Sequence, residues 1–165
     1  YCKYFDSKKL QNCSLKAAYV NQYFLGGAIF TIKTDYLKKF KYPEIKGEKF
    51  FTEAYTYLQM DKPFVWLKEI MCIREFREDG LTKNTLKLFI NNPKSWTLYN
   101  ALRANVYKKW IYKIKYTIYA LSFARLSRIN VIELLKNKVL AIVLYPFGIV
   151  GELIIKKKGK KYDNK

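Results

Sequence analysis

The sequence predicts a region of mixed α and β structure followed by a largely helical, basic extension. Three observations carry that expectation. The run Tyr23 to Ile32 is apolar and β-prone and is broken by Gly26-Gly27, which reads as a loop or bulge leading into a short buried strand. Beyond Thr82 the apolar spacing becomes helical, with Asn92-Pro93 as a restart signal: Asn as N-cap, Pro at the first helical position. The charge then separates the two regions. The chain has 165 residues, 32 of them Lys or Arg and 13 Asp or Glu, for a net charge of +19. Residues 1–82 hold 14 basic and 10 acidic side chains, net +4, whereas residues 83–165 hold 18 and 3, net +15. Only five of the basic residues are Arg, as in Lys-rich proteins from AT-rich genomes. A codon bias, however, does not stop replacing Glu and Asp halfway along a chain. The second half is therefore read as built for a polyanionic partner, a membrane surface or nucleic acid.

Composition excludes several chemistries. There is no histidine, so no Ser-His-Asp or Cys-His triad forms within the chain, and the commonest zinc ligand is missing. Cys2, Cys13 and Cys72 are an odd set without C-x-x-C spacing, which indicates neither a disulfide framework nor a metal knuckle and suits a reducing compartment. Half the residues are hydrophobic, enough for a sizeable core. The chain begins with Tyr1 and shows no signal peptide at its start, so it is expected to be a piece of a longer protein.

Between the first strand and the helical region the elements follow in order. Thr34 to Phe40 suits a short helix capped by Thr34, and Tyr42 to Gly47 a turn-rich loop. Phe50, Phe51, Ala54, Tyr57 and Leu58 fall at helical spacing and form a core-facing stripe. Its start is read either after Gly47 or at Thr52, the latter placing Glu53 in the first turn. Pro63 to Ile73 reads as extended, and Arg74 to Gly80 as a charged loop ending in an Asp-Gly turn. One long helix is expected from Asn92 to about Ser127. Tyr99, Val106, Trp110, Ile114 and Leu121 line one side, with Asn105, Lys108 and Lys115 opposite. A shorter helical segment covers Val131 to Lys138.

Three strings, KTDYLKKFKYPEIKGEKFFTEAY, REFREDGLTKN and INNPKSW, together resemble the bacterial family 2 glycosyltransferases over about sixty residues. The resemblance implies a GT-A fold, a Rossmann-like α/β domain that uses a nucleotide-sugar donor and a divalent metal, Mg or Mn. It makes residues 1–85 the acceptor-side C-terminal half of that domain; residues 86–165 are read from their charge and apolar run as a helical, basic, membrane-associated extension. No Asp-x-Asp occurs in the chain, so the nucleotide- and metal-binding half is expected upstream, no metal ligand is assigned here, and the fragment alone is expected to be inactive. The implied reaction is inverting transfer of a hexose-like sugar to a cell-surface glycan or lipid-linked acceptor.

The resemblance aligns Glu53 with the family's catalytic base, although the acidic pair has Thr52 in its first place and Gln59 stands where many members have Arg. Beside the buried stripe a carboxylate would be partly desolvated and its pKa raised; the competing reading is a solvated first-turn residue favoured by the helix dipole. Gly26 and Gly27 match a small-residue segment beside the acceptor pocket, or simply make a β-bulge. Glu48 is assigned to the acceptor side or to a structural role. Arg74 and Arg77 are candidates for the donor pyrophosphate, or pair with Glu75 and Glu78.

Val139 to Ile155 is a 17-residue apolar run interrupted by Pro146, Gly148, Gly151 and Glu152 and followed by a lysine cluster. It is short for a span of roughly 20 residues. An in-plane or re-entrant segment fits better, with residues 139–161 on the anionic inner face of the plasma membrane and each tail lysine contributing roughly 1 kcal/mol. The alternative is a buried core helix with a solvated tail. A basic, non-catalytic module for a membrane surface or for nucleic acid is the competing function; the scarcity of Arg disfavours nucleic acid.

Overall fold

The computed structural model describes residues 2–5, 7–26, 28–67, 69 and 85–163. It divides into two compact units, Tyr1–Tyr42 with Glu53–Arg77, and Pro43–Thr52 with Glu78–Lys165.

In the first unit, strands β1 (Cys2–Phe5) and β2 (Phe24–Gly26) pair antiparallel, with Cys2 opposite Gly26 and Phe5 opposite Phe24. Short helices α1 (Ser7–Leu10) and α2 (Leu15–Asn21) lie between them in the chain; α3 (Thr34–Leu37) and α4 (Ala54–Tyr57) follow. Ser14 starts α2 as its sequence type dictates: its Oγ accepts from the Ala17 amide and donates to Asp61 Oδ1. Lys16 Nζ donates to the other Asp61 oxygen at 2.8 Å and holds that carboxyl below its ordinary range. The core is small. Leu10, Leu15, Ala18, Leu58 and Met60 are buried, with Phe30 set edge-on to Tyr57 and Trp66 at 4.9 and 5.9 Å. Burial pushes the Cys13 thiol up, so it behaves as a core residue.

The second unit is helical: α5 (Thr85–Asn91), α6 (Pro93–Val106), α7 (Trp110–Ser127), a 3-10 turn (Ile132–Leu134) and α8 (Lys138–Asp163). Trp96 contacts Phe123 and Arg103 contacts Tyr116, a constant-sum register that makes α6 and α7 an antiparallel hairpin. Arg103 sits among Tyr99, Tyr107 and Tyr116, its guanidinium 3.5 Å from the Tyr116 ring centre and hydrogen-bonded to that hydroxyl. Asn105 ties the segment before α8 to the end of α6. Its Nδ2 donates to Leu134 O and its Oδ1 accepts from the Lys136 amide, both at 2.8 Å.

The α/β expectation is overturned. Among the described residues the only sheet is one two-stranded antiparallel pair, with no parallel strand and no βαβ unit, so residues 1–85 do not form half of a Rossmann-like GT-A domain. A parallel sheet needs strands covered on both faces. Among the described residues the β-prone run contributes Phe24–Gly26 to a strand, which ends on the first glycine of the pair rather than following it, and Ile29 beyond it is half exposed. Phe64 to Leu67 alternate extended-chain fashion, but Val65 is 89% exposed and no sheet covers it among the described residues. The extension is helical.

Three helix expectations shift as well. The stripe from Phe50 to Leu58 yields a helix only over Ala54–Tyr57, because residues 48–52 instead extend to bond elsewhere. Thr34 begins α3 but Lys33 holds the cap position. The long helix from Asn92 breaks at Tyr107-Lys108-Lys109, so Trp110 and Ile114 lie exposed rather than in one row with the buried Tyr99 and Leu121.

Candidate functional site

Helix α8 carries an unusual surface. Its residues Val139, Ile142, Val143, Phe147, Val150, Leu153 and Ile154 recur at i, i+3 and i+4 spacing and are all at least half exposed. Lys138–Lys160 is long and apolar enough to cross a membrane, and only 22% of its apolar window is buried by the rest of the protein. A core helix would bury that window. Lys156, Lys157, Lys158 and Lys160 follow on the same helix and are exposed.

The interruptions in the apolar run fall on the opposite face. Gly148 lies against Leu121 and Gly151 against Ser122, so close that a Cβ at either would meet those side chains at 2.7 and 2.2 Å. Ala141 and Leu144 are buried beside them. Glu152, also buried, accepts from Arg125 Nε on one oxygen and Lys156 Nζ on the other, each at 2.6 Å. The hydrogen bond from Lys156, then that from Arg125, holds the Glu152 carboxyl below its ordinary value. Small residues and a paired acid thus face α7 while the large apolar side chains face outward.

That pairing has a pH consequence. A carboxyl whose folded pKa is depressed stabilises the fold above its ordinary value of 4.5 and loses that contribution as pH falls through the lower, folded value. Thermal melts should therefore show a drop in melting temperature on going below pH 4.5, and Glu152→Gln should reduce that drop. An unchanged acid sensitivity in the variant would remove Glu152 from this role.

The residues singled out in the sequence are placed as follows. Gly26 ends β2, opposite Cys2. Gly27, Arg74 and Arg77 lie outside the described residues. Glu53 occupies the cap position of α4 with an exposed side chain, so the expected partial desolvation is not found; the Tyr57 hydroxyl donates to its Oε2 at 3.2 Å. Burial foremost, then the Glu53 charge and hydrogen bond, push the Tyr57 phenol up to about 12. That phenol stays protonated and fixes the carboxylate's position.

Glu48 has a defined structural task. Its carboxylate accepts from the Lys94 and Ser95 amides, each at 2.7 Å, and from Ser95 Oγ at 2.5 Å, closing the N-terminus of α6. Asn92, expected to cap that helix, makes no side-chain cap bond to it. Its Oδ1 accepts from the Lys49 and Phe50 amides at 2.8 and 3.0 Å, and its Nδ2 donates to Leu88 O at 2.8 Å. The Gly-Glu-Lys-Phe and Asn-Pro-Lys-Ser strings, more than 40 residues apart, therefore clasp each other reciprocally. No sequence signal pairs them, since the partners share no helix or turn. Sequence reasoning also missed Arg125 and Arg128, which lie with Tyr145 around a cleft between α7 and α8.

Among the described residues no group of three Cys, Asp or Glu side chains converges to hold a metal. No protein-family model matches the chain, and no curated protein or solved structure is significantly similar to it.

Proposed function

We infer that the protein works at an anionic membrane surface, peripheral on the cytoplasmic face. There it serves as the acceptor-side and membrane-docking part of an inverting glycosyltransferase that passes sugar from a nucleotide-sugar donor to a lipid-linked or cell-surface glycan acceptor. The outward apolar stripe of α8, bordered by exposed lysines, carries the membrane reading. A helix lying in the interface buries such a face some 5–10 Å deep while its charged end meets headgroups. The sugar-transfer reading is supported by the motif strings, not by a constellation of catalytic groups. Within it Glu53 is the base, an exposed carboxylate positioned by Tyr57 to take the acceptor hydroxyl proton.

Four of the rings between Trp96 and Tyr119 disfavour nucleic acid, although Trp110 and Tyr119 are exposed. Trp96 is stacked on Phe89 at 3.5 Å, and Tyr99, Tyr107 and Tyr116 are buried, so these rings are not free to stack on bases.

Two experiments test the proposal. Val143→Glu with Val150→Glu should reduce co-sedimentation with phosphatidylglycerol-containing vesicles by more than tenfold without lowering the melting temperature, since both sites are more than half exposed. Retained vesicle binding, or a shift to single-stranded oligonucleotides in the unaltered protein, would sink the membrane reading. Glu53→Gln in membranes from cells expressing the natural gene should reduce sugar transfer by about 10²-fold or more. Undiminished transfer would remove Glu53 from the base role.

A further inference from the structure

We propose that the cleft between the C-terminal end of α7 and the flank of α8 binds the phosphomonoester headgroup of an anionic lipid, held by Arg125 and Arg128. The proposal rests on the membrane reading and adds a specific lipid chemistry to it.

The cleft has a volume of about 430 Å³, room for a phosphate with its glycerol. It contains two of the chain's five arginines, with Asn130, Tyr145 and apolar walls from Ile129 and Val131. Arg125 is oriented from behind: Nε donates to Glu152, and one terminal nitrogen donates to the Tyr145 hydroxyl at 2.8 Å. Its second terminal nitrogen is uncommitted among the described residues. The Tyr145 hydroxyl, already accepting that bond, has its own proton left to donate. Asn130 Oδ1 accepts from the Ile132 amide at 3.1 Å, so its Nδ2 is directed elsewhere. Arg128 is exposed and no carboxylate pairs with it among the described residues. Arg125, Arg128 and Lys156 against Glu152 leave two positive charges, the complement of a phosphomonoester dianion. Guanidinium forks match phosphate oxygens in geometry as well as charge.

Two further features fit. Two of the terminal α7 carbonyls, which would repel an anion, are occupied: the Ile129 amide bonds to Ala124 O at 3.0 Å and the Arg128 amide to Arg125 O, a Schellman-type end. Tyr145 stands on α8 between its buried face and its apolar stripe. When the stripe enters the bilayer boundary, that flank lies at headgroup height. Arg128 also adopts the left-handed conformation, φ 56, where glycine is the default residue. An arginine at that position fits a functional demand on its side chain.

The test compares phosphatidylcholine vesicles carrying phosphatidic acid with vesicles carrying phosphatidylglycerol at matched surface charge. The full chain should bind the phosphatidic acid vesicles about tenfold more tightly. Arg128→Gly should abolish the preference while leaving the protein at least as stable in a thermal melt, because glycine suits the backbone there. Lys157→Gln, with the same change in net charge outside the cleft, should weaken both vesicles equally. Absence of a preference in the unaltered protein, or its survival in Arg128→Gly, would overturn the proposal. Glycerol 3-phosphate, titrated by calorimetry, separates the sources. Arg128-dependent binding of it without headgroup preference on vesicles assigns the cleft to a soluble phosphate ester and overturns the lipid. If the protein binds no vesicle at all, the membrane reading falls; the titration then decides the phosphate site alone, with no binding overturning that as well.

Discussion

Replacing Glu48 with alanine is expected to destabilise the helical unit by about 2–3 kcal/mol. The first backbone amides of a helix have no partner within it, and Pro93 at the first position removes one of them outright. The next two, Lys94 and Ser95, are both satisfied by one carboxylate, which also takes the Ser95 hydroxyl. Hydrogen bonds to a charged group contribute about 1.5–3 kcal/mol each. Glu48 is half-buried, so water replaces part of the loss and the total stays near the value for one or two such bonds. Glu48→Gln should cost less, since its amide oxygen still accepts. Asn92→Ala should cost a similar amount to Glu48→Ala, because Asn92 is 5% exposed and its truncation orphans the Lys49 and Phe50 amides. The two halves hold the same loop, so the double variant should lose less than the sum, by about 1 kcal/mol. Denaturant titration of the four proteins measures this. Strict additivity would mean that the two contacts form independently.

Gly148→Val should have the largest effect on the packing of α7 with α8, a loss of about 3 kcal/mol or more. Even one added carbon would stand 2.7 Å from Leu121 Cβ and 3.5 Å from the Leu121 carbonyl carbon. Neither atom is the free end of a flexible chain, and Leu121 is 1% exposed with nowhere to move. Overpacking of this kind costs about 1–3 kcal/mol, and a branched side chain multiplies the overlap. Gly148→Ala sets the same clash against a gain of about 1 kcal/mol in helix propensity and should come out mildly destabilising. Gly151→Ala differs in kind. Its nearest obstacle is Ser122 Oγ, which can rotate away only by releasing the Ile118 carbonyl it bonds at 2.8 Å. Gly47, by contrast, has open space around it and a φ of +88, so alanine there costs backbone strain and no packing. A rise in stability for Gly148→Ala would show that α7 and α8 are not in close contact at that level.

Much of the helical region was legible in the residues. Asn92-Pro93 marked the start of α6 because a missing amide and a preset φ are local properties. The run from Val139 to Ile155 is legible as one apolar segment with a basic end for the same reason. The break at residues 107–109 was not legible, since neither Gly nor Pro marks it. Tyr107 decides it by folding back, 5% exposed, against Tyr112 and Tyr116 at 5.4 and 4.9 Å. The α/β reading failed at Tyr23 to Ile32, where β-propensity was real but the neighbouring strands that would bury a parallel sheet are lacking among the described residues.

Glu48 and Glu152 divide the same way. Residue type announced that each carboxylate needs partners; it did not say which. The sequence leaves Glu48 open between the acceptor side and structure, and its position on the α6 terminus comes from a loop some 46 residues away. In the sequence Glu152 interrupts an apolar run; in the fold it faces α7, leaving the opposite stripe unbroken. The sequence by itself determined the helix-forming periodicity of the second half, its charge of +15 and the apolar character of α8, all of which depend on residues within a few positions of one another. The tertiary structure alone decided which face of α8 is covered, which end of α6 is capped, and that two arginines meet beside Tyr145. Those outcomes depend on partners tens of residues distant, whose approach is set by packing and leaves no period in the chain.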